Sequence, residues 1–322
     1  MDREQQELQF LGFFGIFRYS FKTVFSWRKI FSQITLTLIL PLSFVFLFQF
    51  QVSQLLFDKA IRDQNTRNRL SHKVSADWAR FVLFKAAYFT VFLILSLLST
   101  AAVVYTIACI YTAKQITFKK VMSVVPRVWK RLFVTFICSF AVALVYNVVA
   151  IGVLVLWAVV VGFSSIGIAI GIVLLILYIA GLLYITIVWN IASVVSVLED
   201  IYGWKAMVKS RCLIKGKMGV SVGLFVVIGF CFGAIEAVFE TFVVEGFGSS
   251  LAIRVVIGII CFLLLLKVML FELVMQTVLY FVCKSYHHES IDRSALSGHL
   301  ETFTGNYFPL RAKNVQLEES HV

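Results

Sequence analysis

Val197-Leu198-Glu199-Asp200-Ile201-Tyr202-Gly203-Trp204-Lys205-Ala206-Met207-Val208-Lys209-Ser210-Arg211-Cys212-Leu213-Ile214-Lys215-Gly216-Lys217 sets five basic and two acidic side chains between two long apolar runs. Such a segment reads as a short helix lying on a membrane surface. The runs on either side exceed the roughly 18 to 20 residues needed to cross a bilayer. Further out, the whole chain is 60% apolar and 14% charged, with a mean hydropathy of +0.92. Those values lie outside the soluble range. The expected fold is therefore all-α: an integral membrane bundle of six transmembrane helices with basic amphipathic interfacial helices.

The net charge is +12, yet the basic residues sit mostly in short segments between apolar runs. Topology signals and anionic-lipid contacts belong there, and no nucleic acid contact is expected. Six cysteines are scattered singly with no C-x-x-C pair, which points to buried thiols rather than disulfides or a metal centre. No cofactor motif occurs. The acidic start Met1-Asp2-Arg3-Glu4 does not resemble a cleavable signal, so the first span is expected to act as its own targeting signal.

In chain order, the sequence divides into an N-terminal segment with an interfacial helix (1–30), a six-helix transmembrane domain (31–283) and a polar tail (284–322). Phe17, Phe21, Val24, Trp27 and Phe31 are spaced to share one helix face, opposite Arg18, Lys22 and Lys29. Spans are expected over Phe31–Phe50, Val82–Tyr111, Leu132–Val161, Ile166–Val197, Gly219–Phe239 and Ala252–Cys283, with a kink at Pro41. Before the third span, Phe118 to Leu132 forms a second amphipathic segment. Val121, Val125, Val128 and Leu132 follow helical spacing, and Lys119, Lys120, Arg127, Lys130 and Arg131 fill the other side. Those five cations are the candidate lipid-surface contacts, unless they serve only to fix orientation. Pro126 is expected to divide or bend the segment. Gly219/Gly223 and Gly229/Gly233 suggest that the fifth span is an inner helix, and Gly167-x-x-x-Gly171 suggests a close helix contact.

Lysine and arginine are concentrated in the N-terminal segment and before spans three and five, and are absent from Gly162–Ser165 and Gly246–Ser250. The positive-inside rule then puts both termini in the cytosol, in an endomembrane or the plasma membrane. The loop from Gln51 to Arg80 runs against this with six basic residues, though Asp58, Asp63 and Asp77 accompany them. A basic segment followed by a helical hairpin occurs three times, which suggests three repeated hairpins.

Glu199, Gly203, Ala206-Met207, Ser210, Leu213 and Lys215-Gly216 together resemble the signature of a broad family of six-span proteins: the membrane domain of bacterial glycerophosphodiester phosphodiesterases and its stand-alone relatives. The resemblance implies the six-span fold. It implies no diesterase activity, which resides in a separate barrel of roughly 250 residues for which this chain has no room. Ala295-Leu296-Ser297-Gly298-His299-Leu300, Tyr307-Phe308-Pro309-Leu310 and Val315-Gln316-Leu317-Glu318 are similar to the tail of plant multi-pass proteins of unknown function. Some of those are labelled polyadenylate-binding protein-binding protein-like, which implies a cytosolic protein partner at the tail.

Ionisable residues within spans invite a functional reading. Lys267 falls near the middle of the sixth span, with Glu272 one to two turns on; Glu236 and Glu240 share a face of the fifth. Arg254 is placed to pair with Glu240 or Glu245. Two accounts fit: a transport site for a small solute or ion, or interhelical pairing and snorkelling. His287-His288 supplies two metal-type ligands, too few for a site. No hydrolase, P-loop or dinucleotide fingerprint is present, so a non-enzymatic role organising lipid or partner proteins is the leading expectation.

Overall fold

The computed structural model describes residues 9–50, 52, 71–113, 116–160, 165–246 and 250–288. Among the described residues the chain is helical with no strand. Helix α1 spans Phe13–Ser26, and α2 fills the span Arg28–Phe50, opening as Arg28–Ile34 and passing through a π-helical turn at Thr35–Ile39. Then come α3 (Ser71–Tyr111), α4 (Phe118–Val160), α5 (Ser165–Leu198), α6 (Trp204–Ile214), α7 (Met218–Phe239, closed by a second π turn at Glu240–Val244) and α8 (Leu251–Tyr286). Six of these, α2 to α5 with α7 and α8, are long and apolar enough to cross a membrane. The protein is a multi-pass membrane bundle.

Just upstream of Pro41, where a kink was expected, the helix takes a π turn at Thr35–Ile39. Proline has no N–H for the carbonyl of Thr37 and its ring crowds that turn, so the helix widens before it. The hydroxyls of Thr35 and Thr37 meanwhile donate to the carbonyls of Phe31 and Gln33 at 2.7 and 2.8 Å.

Where the structure departs from expectation, the cause is local. The N-terminal aromatic face is divided, because α1 stops at Ser26 and Trp27 takes φ −109° and ψ 31°. Ile16 and Ser20 are the buried residues of α1, whereas Phe21, Phe25 and Trp27 remain exposed. Phe17 packs on Phe271 of α8 with ring centroids 4.8 Å apart, so α1 lies against the bundle.

Pro126 does not break α4, which runs unbroken from Phe118 to Val160. Val121, Val124, Val125, Val128, Leu132, Thr135 and Ser139 make one continuous buried stripe. Phe118–Leu132 is thus the first four turns of a spanning helix, with its apolar face against protein. Three basic segments still precede three hairpins; α1 and α6 are separate helices, and the middle segment is fused to its span.

Helix α3 begins at Ser71, so the polar loop is shorter than 51–80; most of its remainder, including Lys59 to Arg69, lies outside the described residues. So do the 161–164 turn and the tail from 289. Three of the four α7 glycines, Gly219, Gly229 and Gly233, would meet nothing within 4 Å if given a Cβ, so they are not packing positions among the described residues. Gly171 does sit in a close contact, with the Trp157 ring of α4 where a Cβ would stand. No disulfide joins the six cysteines; Cys109, Cys261 and Cys283 are buried and Cys212 is exposed, contrary to a uniformly buried set.

Candidate functional site at the charged end of the bundle

The end of α5, helix α6 and the end of α8 come together around Glu199. Its Oε2 pairs with Lys209 Nζ of α6 at 2.7 Å, and its Oε1 pairs with Lys284 Nζ of α8 at the same distance. The Tyr280 hydroxyl donates to Oε1 at 2.6 Å. One carboxylate therefore fastens three helices. Burial pushes the Glu199 carboxyl up, but the hydrogen bonds from Lys209, Lys284 and Tyr280 outweigh it, and the group titrates below its ordinary value of 4.5. Helix α6 itself has no side-chain cap at its N-terminus. Asp200 pairs instead with Arg131 of α4 at 2.9 Å, an exposed bridge worth at most about 1 kcal/mol.

Between Glu199 and α6 the chain turns at Gly203, which has φ +66° and ψ −135°. Only glycine adopts that conformation without strain. The Gly203 N–H donates to Thr135 Oγ1 of α4 at 2.8 Å, and Ser196 Oγ lies 2.7 Å from the same hydroxyl. Helix α6 then presents Ala206, Met207, Ser210, Leu213 and Ile214 inward, while Trp204, Lys205, Val208 and Arg211 face out. Ser210 donates to the Val188 carbonyl of α5 at 2.7 Å. This bond crosses from α6 to another helix. At the far end Gly216 has φ +89°, and a Cβ there would overlap the Tyr286 ring. His287 Nε2 bonds the carbonyls of Leu213 and Lys215 at 3.0 and 2.9 Å, closing the C-terminus of α6 from α8.

The signature residues thus lie together in one joint. A family model for a domain of unknown function, DUF8558, matches residues 1–320. The chain belongs to this family. No curated protein and no solved structure matches it. In this DUF8558 member the joint holds a surface helix against the bundle. Replacing Ser210 by Val is expected to destabilise the protein by about 1 kcal/mol through loss of one buried hydrogen bond. Thermal unfolding in detergent checks this, and an unchanged midpoint would remove Ser210 from the joint.

Lys209, Tyr280, Lys284 and Thr135 were not anticipated as partners of the signature. The available signal was Tyr280 and Lys284, four residues apart and on one helical face beside the charged end. His287 is engaged with carbonyls, and among the described residues no cluster of three metal-type ligands occurs.

The intramembrane candidates are dispersed. Among the described residues no ion pair joins Lys267, Glu272, Glu236 or Glu240. Glu236 lies within electrostatic reach of Glu240 and of Tyr88 on α3. Lys267 and Glu272 are five residues apart, about 140° around α8, so they look in different directions. Arg254 donates from Nε and Nη2 to the Val243 carbonyl at 3.1 and 2.6 Å, rather than to Glu240 or Glu245. Asn147 and Asn190 donate to carbonyls four residues back on their own helices, and Asn147 also accepts from Tyr178. The cations of the second basic segment, Lys119, Lys120, Arg127 and Lys130, stand on the exposed side of α4, and Arg131 is half-buried beside Asp200.

Proposed function

We propose that this is a non-enzymatic membrane protein that organises anionic lipid at the cytosolic face of an endomembrane or the plasma membrane. One observation carries the reading. The apolar stripe of Phe118–Leu132 is already buried in protein, so its cations are not there to float a surface helix. They are held at fixed positions by a rigid helix, with Lys205, Arg211 and Lys215 exposed at the same end. A fixed array of cations attracts anionic headgroups by about 1 kcal/mol per residue near the surface. The positive-inside rule supports a cytosolic location for this end and for both termini. A cytosolic protein docking on 307–322 is compatible with that sidedness.

Cysteines placed at Lys215 and at Ser164 should react with a membrane-impermeant maleimide from opposite sides. Labelling of both from one side would overturn the proposed topology. For function, the purified protein in nanodiscs of mixed phosphatidylcholine and phosphatidylglycerol should enrich phosphatidylglycerol. Neutralising Lys119, Lys120, Arg127 and Lys130 together to Gln should remove most of that enrichment. Enrichment unchanged by the fourfold variant would sink the reading. Solute flux above background in liposomes, abolished by Lys267→Met, would replace it with transport.

A further inference from the structure

Lys267 stands on the exposed side of α8, near the middle of a strongly apolar span. The Ser43 hydroxyl of α2 donates to Met269 Sδ, which puts Lys267 level with the middle of the first span. Along α8 it lies about 20 Å from Arg254 and about 25 Å from Lys284. A lysine at that depth is costly unless its ammonium meets a counter-charge. Among the described residues the chain supplies none.

A carboxylate without a cation stands on α7. Glu236 is half-buried within reach of Tyr88 on α3, and the charged group nearest to it is a second acid, Glu240. Its depth follows from the antiparallel contact of α7 and α8, where a Cβ on Gly258 would lie 3.8 Å from the γ-carbons of Val243. From that level Lys267 lies about 14 Å and Glu236 about 10 Å toward the charged end, at 1.5 Å per residue. The two share one depth to within a turn of helix. Glu240 and Glu272 miss the level of Lys267 by about 9 and 8 Å. Within one chain the pair stands apart, since Lys267 lines the groove between α2 and α8 whereas Glu236 is beside α3.

The surface around each residue is open. Gly229, Gly233 and Ala237 recur every fourth residue on α7 and are exposed, and a Cβ on either glycine would meet nothing within 4 Å. Glu236 lies one turn from Gly233 and borders this shallow stripe. On α8, Val256, Ile260, Leu263 and Leu264 are exposed on the side of Lys267 and supply bulky ridges. Small residues let helices approach closely in lipid, where apolar area alone gives no drive to associate.

We propose that a second copy of this chain docks at this surface, α8 of one copy against α7 of the other, so that Lys267 pairs with the partner's Glu236. Charge complementarity at matched depth selects this occupant. Copies in one membrane share an orientation, and rotation about the membrane normal leaves depth unchanged. Lys267 therefore meets only a carboxylate at its own level, and Glu236 is the one found there. The contact goes beyond the lipid-organising reading and does not depend on it.

The test uses the full chain in membranes. Two differently tagged copies, one carrying A237C and the other L264C, are co-expressed and oxidised; both positions are exposed and stand at one depth beside the pair. We expect an intermolecular disulfide that forms only when both new cysteines are present. K267M or E236Q, introduced into both copies, should weaken association about tenfold, read from the fraction cross-linked. K267E and E236K should each weaken it further, and the two swaps combined in one chain should restore it. No cross-link between A237C and L264C, undiminished cross-linking in K267M, or no recovery in the double swap would overturn the interface. Should a swapped chain not fold, K267M and E236Q decide the matter, since each only removes a charge.

Discussion

Glu199→Gln should lower the stability of the folded protein by about 3 kcal/mol, the lower end of what breaking a buried ion pair costs. The carboxylate is only 13% exposed and faces two ammonium groups, of which Lys284 is 15% exposed and Lys209 28%. Glutamine keeps the shape and one acceptor oxygen, but leaves both cations without their anion. Lys209 can turn to water and recover part of the loss, whereas Lys284, held against the Tyr280 ring at 5.6 Å, cannot turn as freely. Thermal unfolding in detergent reads the global effect. Labelling of Cys283, buried next to Lys284, reads the local one and should speed up. A variant with wild-type stability and an unreactive Cys283 would show that Glu199 does not fasten the three helices.

The same residue sets a pH dependence. Because the folded carboxyl titrates below its ordinary value of 4.5, its contribution is fully present above that value. The contribution is lost as pH falls through the lower, folded value. The stability difference between wild type and Glu199→Gln should therefore be flat from pH 7 down to about 5 and shrink below 4.5. A difference that grew on acidification would contradict the assigned sign.

Gly203→Ala should cost about 2–3 kcal/mol. Its φ of +66° with ψ of −135° belongs to a region that side-chain-bearing residues avoid, and a new Cβ would come within 3.3 Å of Val134 Cγ1 on α4. The strain can be relieved only by moving the turn, which would withdraw the Gly203 N–H from Thr135 and loosen α6. Hydrogen exchange over 204–214 should rise well above wild type. Gly219→Ala is the matched control: it lies in the first turns of α7 with nothing within 4 Å of a Cβ. It should be neutral or stabilising by about 0.5–1 kcal/mol. Equal effects at the two positions would mean that backbone conformation at 203 is not what matters.

The six spans were legible in run length alone, since backbone groups in lipid must be satisfied within a helix and a helix needs about 20 residues to cross. The inward positions of α6 were legible too: Ala206, Ser210 and Leu213 recur at helical spacing within the signature. Their partners were not. Glu199 meets Tyr280 and Lys284 across 81 and 85 residues of chain, and nothing in the local sequence of either segment encodes which helix end stands beside which. The Phe118–Leu132 segment shows the same limit in another form. Periodicity identified its apolar face correctly, but lipid and a neighbouring helix are equally apolar, so the pattern could not say which one covers it.

By itself, then, the sequence determined an all-helical, six-span membrane chain with basic segments between its spans, because hydropathy and helical rise act through each segment independently. The tertiary structure decided what those charges do. Only the packing of α5, α6 and α8 turns Glu199 into a three-helix fastener, and only the approach of α4 to the turn before α6 joins Thr135 to the Gly203 N–H. Both depend on side chains brought close by folding, and Coulomb and hydrogen-bond energies fall too steeply with distance for such pairings to be read from a line of residues.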